Sequence, residues 1–380
     1  AHQVLTRTGA ARRPLIACVL LVVVAVSLGL ATVRRNRDYR SAVSIWQTVL
    51  DMVPDNPRGH NNLGMALKSE GQLDEAASHF RQALQLDPRH VEAHNNLGIV
   101  LGSQGKLDEA IVHFRRALQI DPDYADAHSD LGNALSSQGK VYEAISHYRQ
   151  ALQLKPDHAE THNNLGNALQ SQGQPGEAIS HYRQALQVRP DFVEAHNNLA
   201  VVLRAQGKHD EAIRHFRQAL RLKPDDARAH NNLAVTLQMT GLGDVAIQHF
   251  REAARLQPNW LAPMTAAAWI LATHPDPDIR EPNEAVRLAR RAAELTKYQD
   301  AAILDTLAAA LAASGQFDRA ISAAQAALAL ASDAQASDLA SQIRTRLALY
   351  KQQKPYREPV SAHGQMRPAL DGEGASGAVD

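Results

Sequence analysis

The feature that most constrains this chain is a period of 34 residues. The string His-Asn-Asn-Leu followed by Gly or Ala opens at His60, His94, His162, His196 and His230, and His128 opens the variant His-Ser-Asp-Leu-Gly. Counting from three residues before each His gives six units without an insertion: 57–90, 91–124, 125–158, 159–192, 193–226 and 227–260. Position 7 is always Leu, position 8 Gly or Ala, position 20 Ala, position 24 Phe or Tyr and position 32 Pro. A fixed period of this length marks an architecture in which each unit contacts only its neighbours.

The residues within a unit predict helix, turn, helix, turn. Leu at positions 7 and 11 with a small residue at 8 forms an apolar stripe at helical spacing. Gly at position 15 (Gly71, Gly105, Gly139, Gly173, Gly207, Gly241) ends the first helix on a backbone free to take positive φ. Ala at 20 and 27 with the aromatic at 24 makes the second stripe, and Pro at 32 stops it. An aromatic content of only 4% agrees with helices packed closely through small side chains. No unit can bury its stripe alone, so the units are expected to stack into an all-α solenoid.

These positions resemble the tetratricopeptide repeat (TPR) family, with His rather than Trp at position 4 and Leu rather than an aromatic at 11 as departures. The resemblance implies a right-handed superhelix whose first helices line a concave surface. Beyond the regular units, Tyr39, Ala42, Trp46, Val49 and Pro54 place a half repeat at 34–56. Residues 261–300 read as a degenerate repeat with about five extra residues around Pro275–Pro282. A further repeat is expected at 301–334, a capping helix at 335–353 and a disordered tail at 354–380.

A flank of residues 1–14 precedes an uncharged run, Leu15–Val33, closed by Arg12 and Arg13 on one side and Arg34 and Arg35 on the other. Nineteen residues at about 1.5 Å each span close to the ~30 Å hydrocarbon core, so 15–33 is expected to be a transmembrane helix. A secretory signal cleaved after Ala31 is the rival reading. The expectation is a single-pass membrane protein with its array on the periplasmic or extracytoplasmic side. The start at Ala1-His2-Gln3 rather than Met suggests the C-terminal piece of a longer protein.

Forty basic against forty acidic residues leave no net positive field, which argues against nucleic acid as partner. The single cysteine, Cys18, makes neither a disulfide nor a thiolate metal site. Gly102-Ser103-Gln104-Gly105-Lys106 is followed by Leu107 rather than Ser or Thr, so it is no phosphate loop, and no other catalytic motif is present. The chain is read as a non-enzyme with no catalytic residues, no cofactor, no metal and no small-molecule substrate. Twelve histidines form two ladders, at position 4 (His60 to His230) and position 23 (His79 to His249), read as structural. Arg at position 25 (Arg81, Arg115, Arg149, Arg183, Arg217, Arg251) is balanced by acids at 18 and 19, which reads as a solvated mixed-charge face.

The candidate site is an amide ladder on the first helices. Position 5 carries Asn61, Asn95, Ser129, Asn163, Asn197 and Asn231, and position 6 carries Asn62, Asn96, Asp130, Asn164, Asn198 and Asn232. An amide matches the alternating C=O and N–H of an extended chain without reading its sequence. The ladder resembles the concave asparagine ladder of O-GlcNAc transferases, which implies a peptide or protein partner held along its backbone. The opposing reading is that the amides bond only between repeats. The expected function is a membrane-anchored scaffold for an extended partner. The alternative is the substrate-recruiting region of a multi-span glycosyltransferase, since the array and its flank resemble transmembrane-and-TPR proteins similar to protein O-mannosyltransferases.

Overall fold

The computed structural model describes residues 41–359 apart from Gln335 and the side chain of Asp333. The flank 1–14, the segment 15–33, the start of the half repeat and residues 360–380 lie outside the described residues. Eighteen α-helices and no strand are present among the described residues. Packing divides the chain into two compact units, 1–164 and 165–380, with the division inside one helix.

In the first unit α1 (Ala42–Met52) is followed by the pairs α2 (Pro57–Ser69) and α3 (Leu73–Leu86), α4 (Val91–Ser103) and α5 (Leu107–Ile120), and α6 (Ala125–Ser137) and α7 (Val141–Leu154). The helix α8 (Ala159–Ser171) carries the division. The helices of each pair pack together, the second of one pair packs on the first of the next, and first helices touch one another (α2 with α4, α4 with α6). That pattern is a solenoid. Its core is the predicted stripe: Leu63, Leu97 and Leu131 from the first helices, and Ala76, Phe80, Ala110, Phe114, Ala144 and Tyr148 from the second, are all buried.

The small residue at position 8 has a steric reason. A Cβ at Gly98 would fall 2.6 Å from the Phe114 ring, and one at Gly132 2.6 Å from that of Tyr148, so the aromatic lies flat on the bare backbone. At the turn, Gly139 has φ +76°, and the N–H of Lys140 donates to the carbonyl of Leu135, closing the first helix in the glycine-dependent motif expected there.

In the second unit the regular pairs continue as α9 (Pro175–Val188), α10 (Val193–Ala205) with α11 (His209–Leu222), and α12 (Ala227–Met239) with α13 (Gly243–Leu256). The degenerate repeat follows as α14 (Leu261–Thr273) and α15 (Pro282–Leu295), then α16 (Ala301–Ala313), α17 (Phe317–Asp333) and α18 (Ser337–Lys351). Residues 274–281, including a 3-10 turn at Pro277–Ile279, separate α14 from α15, where the three residues 70–72 separate α2 from α3. The helix α14 is packed through small residues instead of the Leu-Gly pair, with Ala267, Ala268 and Ile270 fully buried.

Two expectations are corrected. Among the described residues no helix is long and apolar enough to cross a membrane: the longest, α17, has 17 residues and charged ones among them, against about 20 apolar residues needed. The single-pass membrane localisation is therefore set aside, and the segment that carried it is not among the described residues. Of the residues assigned by composition to a disordered tail, 356–358 instead lie against α14, with Glu358 buried. Their polar groups find partners at the end of that helix, which composition does not reveal.

Candidate functional site

The amide ladder is hydrogen-bonded between successive repeats. In the first unit Asn96 Nδ2 donates to Asn61 Oδ1 at 3.0 Å, Asn95 Nδ2 to Asp130 Oδ2 at 2.9 Å, and Asn164 Nδ2 to Asn133 Oδ1 at 2.9 Å. The Ser129 and Thr161 hydroxyls pair at 2.7 Å. In the second unit Asn198 Nδ2 donates to Asn167 Oδ1 at 3.0 Å, and Asn197 Nδ2 donates to Oδ2 of Asp226, the last residue of its own repeat, at 3.3 Å. Asn232 Oδ1 accepts from Arg204 at 3.4 Å.

The two ladder positions differ in access. Asn61, Asn95, Ser129 and Asn163 at position 5 are buried, and Asn197 and Asn231 are half-buried. Position 6 is half-buried throughout, at Asn62, Asn96, Asp130, Asn164, Asn198 and Asn232. The bonds from Asn96 and Asn164 each use one of the two N–H groups of the amide, which leaves a second N–H on each beyond the inter-repeat bond. Buried Oδ1 atoms of Asn95, Asn197 and Asn231 have no partner among the described residues. Burial raises the Asp130 carboxyl above its ordinary range, against the lowering effect of the Asn95 hydrogen bond.

Position 9 belongs to this row and was not anticipated. Asn133 and Asn167 each accept from the position-6 amide of the next repeat and from the buried tyrosine of their own, Tyr148 OH at 2.8 Å and Tyr182 OH at 2.7 Å. The signal was readable: Tyr occurs at position 24 in the same repeats that carry Asn at position 9. Burial raises both phenols well above the ordinary tyrosine range, so they act as donors.

The two histidine ladders are one set of pairs. Position 4 and position 23 meet Nδ1 to Nδ1 at 3.0 Å (His60–His79), 3.1 Å (His94–His113), 3.0 Å (His128–His147), 2.9 Å (His196–His215) and 2.9 Å (His230–His249). The Nε2 atoms of His60, His94, His128, His162, His196 and His230 lie 2.9–3.2 Å from the carbonyl of the preceding unit's Pro at position 32. A carbonyl only accepts, so Nε2 of the position-4 ring carries the proton and its Nδ1 is bare. The position-23 ring must then donate from its own Nδ1. Sequence reasoning compared equivalents along each ladder and overlooked the constant spacing of nineteen residues between them. Burial, and next the facing imidazole, lower His215 and His249 to about 4.

The mixed-charge face is linked across repeats. Arg115 reaches Glu143 at 3.7 Å, Arg183 reaches Glu211 at 2.7 Å, and Arg251 reaches Glu281 at 2.7 Å and Glu284 at 2.5 Å. An exposed pair such as Arg115–Glu143 contributes about 0–1 kcal/mol. No group of three or more His, Cys, Asp or Glu side chains fit to hold a metal occurs among the described residues.

Family models described as tetratricopeptide repeat or TPR repeat match residues 32–78, 64–105, 101–139, 123–191, 181–214 and 201–241, a continuous stretch of more than half the chain. Pseudomonas aeruginosa pilF is similar at 22% identity over 54% of this chain and 93% of that one, with a TM-score of 0.51. The Cut9 and Hcn1 assembly of the APC/C is similar at 20% identity over 59% of this chain and 44% of that one, with a TM-score of 0.54. These likenesses speak for the fold alone. YrrB, described as a TPR protein with an unusual peptide-binding site, is 24% identical over 50% of this chain and 98% of that one, with a TM-score of 0.44. No curated protein matches. The narrower resemblance to O-GlcNAc transferase or O-mannosyltransferase-like proteins finds no support in these comparisons.

Proposed function

Because the chain belongs to the tetratricopeptide repeat family, we propose that it is a protein-interaction scaffold whose first-helix face holds an extended peptide segment of its partner through the amide row. The observation that carries this reading is the double duty of position 6. Asn96 and Asn164 each donate one N–H to the preceding repeat and remain half-buried, and Asn198 donates to Asn167 at the same register. An amide fixed in this way loses little rotational freedom when it meets a peptide group, so its second hydrogen bond is pre-organised. The reading also reconciles the two expectations for the ladder: inter-repeat bonding orients the same groups that meet the partner. Asp130 interrupts the row and favours a backbone N–H or a cation at that rung.

The test is a peptide array probed with the full chain and with a variant carrying Asn96→Ala, Asn164→Ala, Asn198→Ala and Asn232→Ala. At about 0.5–1.5 kcal/mol for each lost bond, the variant should bind its hits weaker by two to six kcal/mol if the terms add. Helical content should persist. Unchanged binding by a folded variant refutes the amide row as the site.

A further inference from the structure

The chain places one of its own segments on a first helix. After α18, Gln353 takes φ +54° and residues 354–358 run without helix onto α14. There the Glu358 N–H donates to the carbonyl of Thr273 at 2.9 Å, Trp269 Nε1 donates to Glu358 Oε1 at 2.9 Å, and Arg357 Nη1 donates to the carbonyl of Ala272 at 2.9 Å. The Tyr356 ring sits 5.9 Å from that of Trp269. The Arg346 guanidinium lies 5.2 Å from the Trp269 ring centre and 5.4 Å from that of Tyr356, held by a two-pronged pair with Asp305 at 3.1 and 2.5 Å.

The receiving groups are ladder positions of their own repeats. Trp269 is position 9 of the unit that begins at Leu261, where other units carry Asn133 and Asn167, and Asp305 is position 5 of the unit that begins at Ala301. The carbonyls of Ala272 and Thr273 are among the last of α14, which has no partner for them within the helix. The site thus offers two acceptors, an indole donor, and an aromatic face backed by a fixed cation. Each matches one feature of the segment: the Arg357 guanidinium and Glu358 N–H, the Glu358 carboxylate, and the Tyr356 ring.

We propose that this face of α14, with the Asp305–Arg346 pair behind it, is a binding site for an extended segment carrying an aromatic, a guanidinium and a carboxylate in succession, and that residues 355–358 fill it in cis until a partner segment of that chemistry replaces them. Two features favour replacement. Gln353 is a non-glycine residue in the left-handed region, a conformation disfavoured for L side chains that stores strain at the start of the segment. Arg357 lies near Arg280, which donates to the carbonyls of His274 and Pro275, so two cations crowd the end of α14. The site is separate from the amide row, whose last members are Asn231 and Asn232.

The experiment uses the full chain and a fluorophore-labelled peptide Lys-Pro-Tyr-Arg-Glu-Pro, the sequence of residues 354–359, with anisotropy as readout. A tethered segment competes at an effective concentration in the millimolar range. The wild-type chain should therefore bind the peptide at least tenfold more weakly than the variant carrying Tyr356→Ala, Arg357→Ala and Glu358→Ala. A peptide of scrambled order should not bind. Equal binding by both proteins, equal binding of the scrambled peptide, or no binding by a variant of native helicity overturns the proposal. Should the triple variant lose helicity, Glu358→Ala alone replaces it, because the N–H to Thr273 survives. That single variant must then bind the peptide more tightly than wild type, and failure to do so overturns the proposal equally. The four-asparagine variant should bind like wild type, which keeps failure of this site distinguishable from failure of the amide row.

Discussion

The imidazole pairs make the second unit sensitive to acid, and His215 shows by how much. Burial and the facing His196 lower its folded pKa from the ordinary 6.5 to about 4. Between those values the unfolded chain binds a proton that the folded chain refuses, so stability is complete above about pH 6.5 and is lost as pH falls toward 4. At about pH 5 the undiscounted linkage is roughly 2 kcal/mol. The ring is only partly buried and faces Glu211, Arg183 and Arg214, and solvent screening reduces this by roughly half, to about 1 kcal/mol. The assay is hydrogen exchange on the full chain, read as protection factors for α10 and α11 and corrected for the intrinsic pH dependence of exchange. Going from pH 7.5 to 5 should lower protection in these helices about fivefold. His215→Asn keeps an N–H donor close to the position of Nδ1 and removes the titrating group. It should protect nearly as well as wild type at pH 7.5 and keep most of that protection at pH 5. Wild-type protection that is flat across this range, or a variant with the same slope as wild type, refutes the reasoning.

Other outcomes follow from single contacts. Arg346→Met strands Asp305, which is 3% exposed, and should cost about 3–5 kcal/mol in urea unfolding, whereas Arg346→Met combined with Asp305→Asn should cost less than the first change alone. Gly132→Ala puts a Cβ 2.6 Å from the Tyr148 ring and should lower thermal stability by about 1 kcal/mol, near the low end for overpacking, because Ala200 and Phe216 coexist in another repeat. Gly139→Ala meets no neighbour but must hold φ +76°, at a cost of about 1–2 kcal/mol in the same melt.

The helices were legible because every signal is local and recurs. The spacing of Leu63 and Leu67, the glycine at 71 and the proline at 88 each act within a turn or two of chain, and the helix ends in each regular unit follow them. What the sequence concealed depends on pairs far apart in it. His94 and His113 are nineteen residues apart and on different helices, so only the pairing of first and second helix reveals their bond. Asp305 and Arg346 are separated by 41 residues, and Trp269 and Glu358 by 89. Composition misread residues 356–358 for the same reason: Arg and Glu look solvated until the open carbonyls of α14 are seen beside them. The amide row was legible as a row. Its inter-repeat bonds, and the part taken by Asn133 and Asn167, were not.

The bond from each position-4 imidazole to the carbonyl of the proline before it bears on how long such an array can be. At the joints from Pro54 with His60 to Pro224 with His230, the donor comes from one unit and the acceptor from the one before. A whole unit can therefore be duplicated or deleted by recombination without stranding the position-4 donor, since each copy brings the carbonyl its neighbour needs. The currency ends at Pro258, where the next position 4 is Met264. By this bond alone, whole steps of 34 residues are interchangeable only in the stretch before Leu261. As far as this contact is concerned, the length of the array can change without a change in how its units are joined.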